Sequence, residues 1–483
     1  MKPRETSRTP GRVALLINRL SGDRALPTSL AQLRHSELAK AAGLAGAMIA
    51  NNVIALGSTV VFARLLNDYG SLAALISYFL ILSVVGLALQ VATAREGVLG
   101  HLGVGAGLAA TVRRWSINLA AVTIVITIVS ILFREPIAQA VGVPGDQWAA
   151  AIGLPAAVLW LELSILRGVL QGVGDYKAVG ISLVGEQASR LVLGAALAAA
   201  GLGVTGAYLG TPLSFLVVGA FCLVQLRRHV EAAEAEGLGA VTAAPAALGL
   251  WTHVRRAWAP IAGLIVIAVL QNIDIIAAKH RFTTSLASSY GATAVAAKVL
   301  IWVAMGAGFY LVPEVSRRRA AGEDTRPILF RSLGIVLVCA VPCLLIYAVA
   351  PHLLLKLAFG PKRTQASGSL LVLGAAFTVL AATYLAIQYM LALKRTRFLL
   401  VIGAVAIAEP ILLLGASRQA TGFAAVVLAI QVVGAGLAYA MALRPERDPP
   451  APPPAEDGPG SEHDHVGQLP AESLATPAEV LPG

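Results

Sequence analysis

Charge is scarce in this sequence. Asp, Glu, Lys and Arg make up only 13% of its 483 residues, while 57% are hydrophobic. A water-soluble globule of this length covers itself with ionic groups, so the balance places most of the chain in lipid. Cysteine is nearly absent. Cys222, Cys339 and Cys343 all fall inside apolar runs and read as small buried side chains, which argues against a disulfide framework or a zinc knuckle. Aromatic residues amount to 6%, too few to line a broad aromatic cavity. No nucleophile-base pair, metal-ligand spacing or glycine-rich nucleotide loop is present, so no cofactor is expected and ATP cannot be the direct fuel. The pairing of His463 and His465 around Asp464 lies in a Pro- and Gly-rich tail and reads as solvated.

Long apolar runs are abundant. A spanning helix takes roughly 20 mainly apolar residues, and twelve such runs lie at about 41–63, 71–94, 115–133, 148–170, 178–200, 204–226, 259–280, 291–313, 329–350, 368–392, 397–416 and 421–442. The expected fold class is therefore an all-α integral membrane protein of twelve transmembrane helices. Alternating the connectors across the bilayer leaves only Arg64, Arg134, Lys279, Arg281, Lys356, Lys362, Arg363 and Arg418 on one side and gathers nearly all other lysines and arginines on the other. The basic side should be cytoplasmic, with both termini there, in the inner membrane. The net charge of +11 then reports topology and attraction to anionic lipid, not nucleic-acid binding.

Five segments follow. Residues 1–40 are a basic cytoplasmic leader, in which GRVALLINRL (11–20) either lies as an amphipathic helix on the inner leaflet or stays disordered. Residues 41–226 and 259–443 are two sets of six helices, separated by a cytoplasmic connector at 227–258. Residues 444–483 form a disordered, Pro-rich acidic tail. The two sets look duplicated. A shift of 221 residues lays Asn51 on Asn272, Tyr69-Gly70 on Tyr290-Gly291 and Gly194 on Gly415, and sets GVGDYK (172–177) over LKRTRF (393–398). TGAYL (205–209) matches TGFAA (421–425) at a slightly shorter offset. Six is even, so both sets enter the membrane from the same side as parallel repeats, an arrangement that places a cavity between two bundles able to rock. A pore or a rigid scaffold is the alternative. Pro155, Pro212, Pro342 and Pro410 offer kinks for such motion.

Three stretches carry a family resemblance. YGSLAALISYFLILSVVGLALQVATAREG (69–97), LRGVLQGVGDYKAVGISLVGEQASRLVLG (166–194) and NIDIIAAKHRF followed by YGATAVAAKVL (272–282 and 290–300) resemble the polysaccharide and oligosaccharide flippases of the multidrug/oligosaccharidyl-lipid/polysaccharide (MOP) exporter superfamily. The resemblance covers about residues 40 to 443. It implies a two-lobe, MATE-like fold, a central cavity lined by the first, second, seventh and eighth spans, and export of a polyprenyl-linked glycan by alternating access.

Polar residues inside the spans are few: Asn51, Asn52, Gln90, Glu162, Glu186, Arg190, Asn272, Asp274, Lys298 and Glu409. A charge at the bilayer centre costs between about 3 and more than 10 kcal/mol, so each should face protein or water. Glu186 and Arg190, four residues apart on one helix, form an intramembrane ion pair. That pair either pins its helix or shares Arg190 with an anionic group of the substrate. Asn272, Asp274 and Lys298 are candidates for the cavity. Lys298 offers a cation to a lipid pyrophosphate, while Asp274 balances it or carries a proton or Na⁺; the alternative is a structural Asp274-Lys298 bridge. Asn51, Asn52 and Gln90 complete the candidate cavity set, the asparagines either binding sugar hydroxyls or joining helices. Glu162 and Glu409 have no evident role. Arg64 and Arg95 read as topological anchors, and no dense arginine cluster of the lipid II flippase kind occurs in the first, second and eighth spans.

The leading functional expectation is a flippase for a lipid-linked oligosaccharide, embedded in the bilayer, with a tail available to dock glycan synthesis or polymerisation machinery. A cation-coupled multidrug exporter is the alternative, and a membrane polysaccharide polymerase or ligase a third. An enzyme of that last kind needs a sizeable outer loop, and 134–147 and 351–367 carry only His352, Glu135 and Asp146 beside basic residues. Since the tail cannot bury a core, truncation at Pro445 is expected to leave flipping intact. Loss of transport in proteoliposomes by a truncated protein present at wild-type levels would contradict this.

Overall fold

The computed structural model describes residues 30–235 and 258–444. The basic leader through residue 29, residues 236–257 of the expected connector and the tail from residue 445, including the His463–His465 run, lie outside the described residues.

Helices α1 (Leu30–Leu65), α2 (Tyr69–Val98), α3 (Ala106–Leu132), α4 (Arg134–Val141), α5 (Gln147–Gly172), α6 (Tyr176–Leu197) and α7 (Gly203–Ala235) form the first half. The second half comprises α8 (Trp258–Arg281), α9 (Thr284–Ala320), α10 (Arg326–Val349), α11 (Pro351–Phe359), α12 (Leu370–Ala392), α13 (Phe398–Gly415) and α14 (Ala420–Ala442). Among the described residues, eleven apolar helical runs are long enough to cross a membrane. One of them, Tyr176–Ala235, is 60 residues long and contains two of the twelve expected spans. It folds back on itself where Gly201 and Gly203 adopt φ of 99° and 52°, a left-handed backbone that a side chain would strain. Helix α7 continues to Ala235, eight residues beyond the expected start of the connector at 227.

Packing within each half repeats. In the first, α2 lies on α5, α5 on α3 and α7, and α6 on α1 and α7. In the second, α9 lies on α12, α12 on α10 and α14, and α13 on α8 and α14. Short helices α4 and α11 follow the third span of each set. The matched Tyr69-Gly70 and Tyr290-Gly291 pairs lie where the repeats touch: the Gly70 amide on α2 donates to Ser288 Oγ at 2.9 Å, while a Cβ on Gly291 would stand 3.0 Å from that of Ala73. Helix α1 is the least enclosed of these runs, with 6% of its membrane window buried against 72% for the run containing α12.

Leu, Val and Ile side chains of α3, α10 and α13 stay exposed, among them Ile124, Leu132, Val338, Leu345, Leu400 and Ile407, which is the surface a bilayer covers. Close helix contacts rest on small residues. Gly210 of α7 is one: a Cβ there would stand 2.6 Å from the Gly194 amide nitrogen and 2.7 Å from the Arg190 carbonyl. Backbone cannot yield as a side chain does, so Gly210→Ala should lower stability by about 1–3 kcal/mol. Gly219→Ala on the same helix, with nothing within 4 Å, should be neutral. Thermal unfolding of both variants in detergent checks the contrast.

Candidate functional site

Two buried charge centres and one polar seam stand out. The first centre lies in the second half. Asp274 on α8 is fully buried; Tyr290 on α9 donates its hydroxyl to Asp274 Oδ2 at 3.2 Å, and Lys298 Nζ lies 3.5 Å from Oδ1. Lys298 also reaches Asn272 Oδ1 at 3.4 Å and stands 5.3 Å from the Phe377 ring centre. Asn272 Nδ2 donates to the Ala268 carbonyl. Glu409 on α13, likewise fully buried, accepts from Gln431 Nε2 of α14 at 3.1 Å. Asp274 Oδ1 has only the Lys298 ion pair, and Glu409 Oε2 has no hydrogen-bond donor among the described residues. The centre thus holds two carboxyl groups against one ammonium.

The second centre, in the first half, has the opposite balance. Arg167 on α5 is wholly buried and donates to Ser182 Oγ at 2.9 Å, to the Ser182 carbonyl at 2.8 Å and to Glu186 Oε2 at 3.0 Å. Arg190 donates to the other carboxylate oxygen of Glu186. Three mutually packed aromatic rings, Phe79, Trp160 and Phe215, lie beside the guanidinium groups. Arg167 lies 5.6 Å from the Trp160 ring centre, and Arg190 5.8 and 5.3 Å from those of Phe79 and Phe215. A cation-π contact returns at most about 2 kcal/mol when desolvated, against about 3 to more than 10 kcal/mol for a charge in the membrane. The rings therefore leave a large part of the burden to Glu186.

The seam joins the halves at one end, where α1 passes into α2. Lys279 at the end of α8 pairs with Asp68, the residue capping α2, at 2.8 Å. Arg64, in the last turn of α1, donates to the carbonyls of Leu357 and Ala358 at the end of α11. Arg363, just past α11, donates back to the carbonyls of Ala63, Leu66 and Asn67 at the end of α1. His280 Nε2 meets the Ala140 carbonyl at 3.1 Å. Every hydrogen bond between the halves among the described residues lies at this end.

Solved structures share this arrangement of helices. The lipid II flippase MurJ in an inward closed conformation superposes with a TM-score of 0.62 at 12% identity, over 82% of this chain and 87% of that one. An inward-facing multidrug resistance MATE family transporter of the MOP superfamily gives 0.59 at 13% identity, over 89% and 96%. A MATE in the bent conformation gives 0.51 at 14% identity, over 88% and 96%. The fold is that of the MOP-superfamily transporters. No protein-family model matches the sequence, and no curated protein matches it at the sequence level.

Of the residues singled out from the sequence, the MOP fold brings Asn272, Asp274 and Lys298 together and adds Tyr290, Glu409 and Gln431. Glu409 had no role until α13 placed it beside Gln431, and Gln431 carries no charge to mark it. Arg167 was counted with the cytoplasmic flanks; instead it is buried on α5, because Ser182 and Glu186 of the facing α6 receive its guanidinium. Asn51 is half-buried and Asn52 exposed on α1, Asn51 Nδ2 donating to Asn52 Oδ1 at 3.4 Å, with no hydrogen bond to the Asn272 group. Gln90 is half-buried on α2 and Glu162 half-buried on α5; neither joins a charge centre. Arg64 is a cap on α11.

The seam has a pH signature. Burial pushes the Asp68 carboxyl up, yet hydrogen bonds from Lys279 and Ser71 and the Lys279 charge outweigh it and hold the group below its ordinary value of 3.8. Burial and the charge of Asp68 hold the neighbouring Asp146 above that value. A carboxyl held low stabilises the joined state above its ordinary value, and that contribution is lost as pH falls through the lowered one; a carboxyl held high does the reverse. Mild acidification therefore neutralises Asp146 first and tightens the seam, and stronger acidification then breaks Asp68 from Lys279. The protection factors of amides 66–70, from which the intrinsic pH dependence of exchange is divided out, should be highest between these two events, and Asp68→Asn should remove the acid limb, an effect of about 1 kcal/mol or less for a half-exposed pair. Protection factors flat across both limbs would mean that the pair carries no weight.

Proposed function

We propose that the chain is an alternating-access carrier of the inner membrane that moves a polyprenyl-linked oligosaccharide from the cytoplasmic to the outer leaflet. The observation that carries this reading is the one-sided seam. Two halves whose mutual hydrogen bonds among the described residues gather at one end, beside the packing of α2 on α8 and α9, suit a carrier with that end shut. With both termini cytoplasmic, the shut end is the outer one. That agrees with the inward conformations of the MurJ flippase and of the MATE transporter in whose likeness the chain folds. Helices 41–226 and 259–443 are then the two lobes, and the loosely packed α1, bearing Asn51 and Asn52, is the flank along which a lipid-linked headgroup enters while its chain stays in the bilayer. Gln90 lines the same route. The tail contacts the glycan-building machinery.

A second reading, a cation-coupled multidrug exporter, draws support from the surplus carboxyl of the Asp274-Glu409 centre, which a proton or a monovalent cation would balance. Both readings use the same switch: Lys298 holds the centre together, and the added positive charge sets its net charge. One charge carried through 100 mV supplies about 2.3 kcal/mol, enough to bias a two-state carrier without ATP.

Removing the lysine leaves two buried carboxyl groups unopposed, a loss of about 3–5 kcal/mol for a broken buried pair. Lys298→Ala is expected to insert normally and to abolish translocation. Proteoliposomes loaded with a fluorescent polyprenyl-pyrophosphate glycan, and separately with ethidium, measure both cargoes. Normal flipping by a well-inserted Lys298→Ala protein would defeat the role given to this centre, and export of ethidium without flipping would select the second reading.

A further inference from the structure

Arg167, Glu186 and Arg190 carry a charge imbalance that no other described residue corrects. Two guanidinium groups share one carboxylate, Arg167 through Glu186 Oε2 and Arg190 through Oε1, and neither arginine forms an ion pair with any other described residue. A surplus of acid can be cancelled by a proton. A surplus of arginine cannot, because a guanidinium keeps its proton in proteins. Inside a membrane the remaining positive charge calls for an anion.

The unpaired polar atoms around this centre are those an anion would use. Arg167 Nη1, Arg190 Nε, Ser164 Oγ and Tyr208 Oη are buried without a hydrogen-bond partner, and all four can donate. Ser164 sits beside the ring on which Arg167 stacks: a Cβ on Gly86 would lie 2.5 Å from Trp160 Nε1 and 2.7 Å from Ser164 Oγ. Access is through Arg190, whose side chain keeps 18% of its surface while Arg167 keeps none. Phe79 and Phe215, their ring centres 5.6 Å apart, lie together against the Arg190 guanidinium, and Arg190 Nε remains as a donor for a ligand.

We propose that Arg190, backed by Arg167, binds one compact anionic group of the phosphate type in the first half of the molecule. The group comes from a lipid-linked phosphate or from free anion in the aqueous phase. The assignment rests on the charge count of a membrane-buried triad and stands whether or not the cargo is a glycan.

The test uses the full chain purified in neutral detergent at constant ionic strength, with inorganic phosphate and a polyprenyl monophosphate as separate probes. Binding is read by calorimetry and by the fluorescence change of Trp160, taken as the signal lost in Trp160→Phe. Wild type should bind at least one probe saturably. Arg190→Gln should weaken that binding at least tenfold, Arg190→Lys should retain part of it, and Glu186→Gln, which leaves both guanidinium groups unopposed, should strengthen it. Binding of the polyprenyl probe alone identifies a lipid headgroup; binding of both identifies the phosphate itself. Absence of saturable binding of either probe to the wild type, or equal affinity in a folded Arg190→Gln protein, overturns the proposal. Binding in detergent needs no transport, so failure here leaves the carrier reading untouched, and failure of that reading leaves the site standing.

Discussion

Helix C-termini organise this molecule. Each helix leaves its last carbonyls without intrahelical donors, and at the border of a bilayer water cannot be relied on to satisfy them. Arginines do so here. Arg134 donates to Ile131 near the end of α3, Arg281 to Ala416 beyond α13, Arg319 to Leu393 beyond α12, and Arg326 and Arg395 to Leu443 and Ala442 at the end of α14. A positive charge at a helix C-terminus also meets the negative end of its dipole. The excess of 37 basic over 26 acidic residues thus has a use besides orientation: many cations answer carbonyl groups and need no carboxylate.

Arg64 and Arg363 apply the same device between the halves, each capping a helix of the other. Reciprocal capping makes the seam specific without making it strong, because its arginines and the half-exposed Asp68-Lys279 pair exchange water for protein partners at small net gain. Helix packing runs both within the halves, with glycines at the points of closest approach, and between them, where α2 lies on α8 and α9. The capping arginines add direction to that interface more than strength.

The spans were legible because lipid demands long apolar runs and little else. So was the duplication, since Tyr69-Gly70 and Tyr290-Gly291 sit where the two repeats touch and cannot vary freely. The charge centres were legible only in part. Asp274 and Lys298 announce themselves as charges in apolar surroundings, and Glu186 and Arg190 share a helix face. Arg167 lies near the end of its run, where an arginine is ordinarily a flank, and only the facing Ser182 and Glu186 reveal its depth. Gln431 and Tyr290 are ordinary polar residues in sequence; their partners, Glu409 and Asp274, lie on other helices. Arg363 falls in a connector, so nothing local distinguishes a cap on α1 from a surface charge.

The two centres differ in what can change them. Two carboxyl groups face one ammonium in the second half, and a proton gained or lost alters that centre's charge by one unit. Two guanidinium groups face one carboxylate in the first, and no proton available near neutral pH relieves them. On the carrier reading, an ion gradient would act on Asp274 and Glu409, while the two guanidinium groups of Arg167 and Arg190 keep their charge. An anionic headgroup and a coupling proton would then occupy different halves of the molecule, and each half would sense the other's occupancy only through the opening and closing of the seam between them.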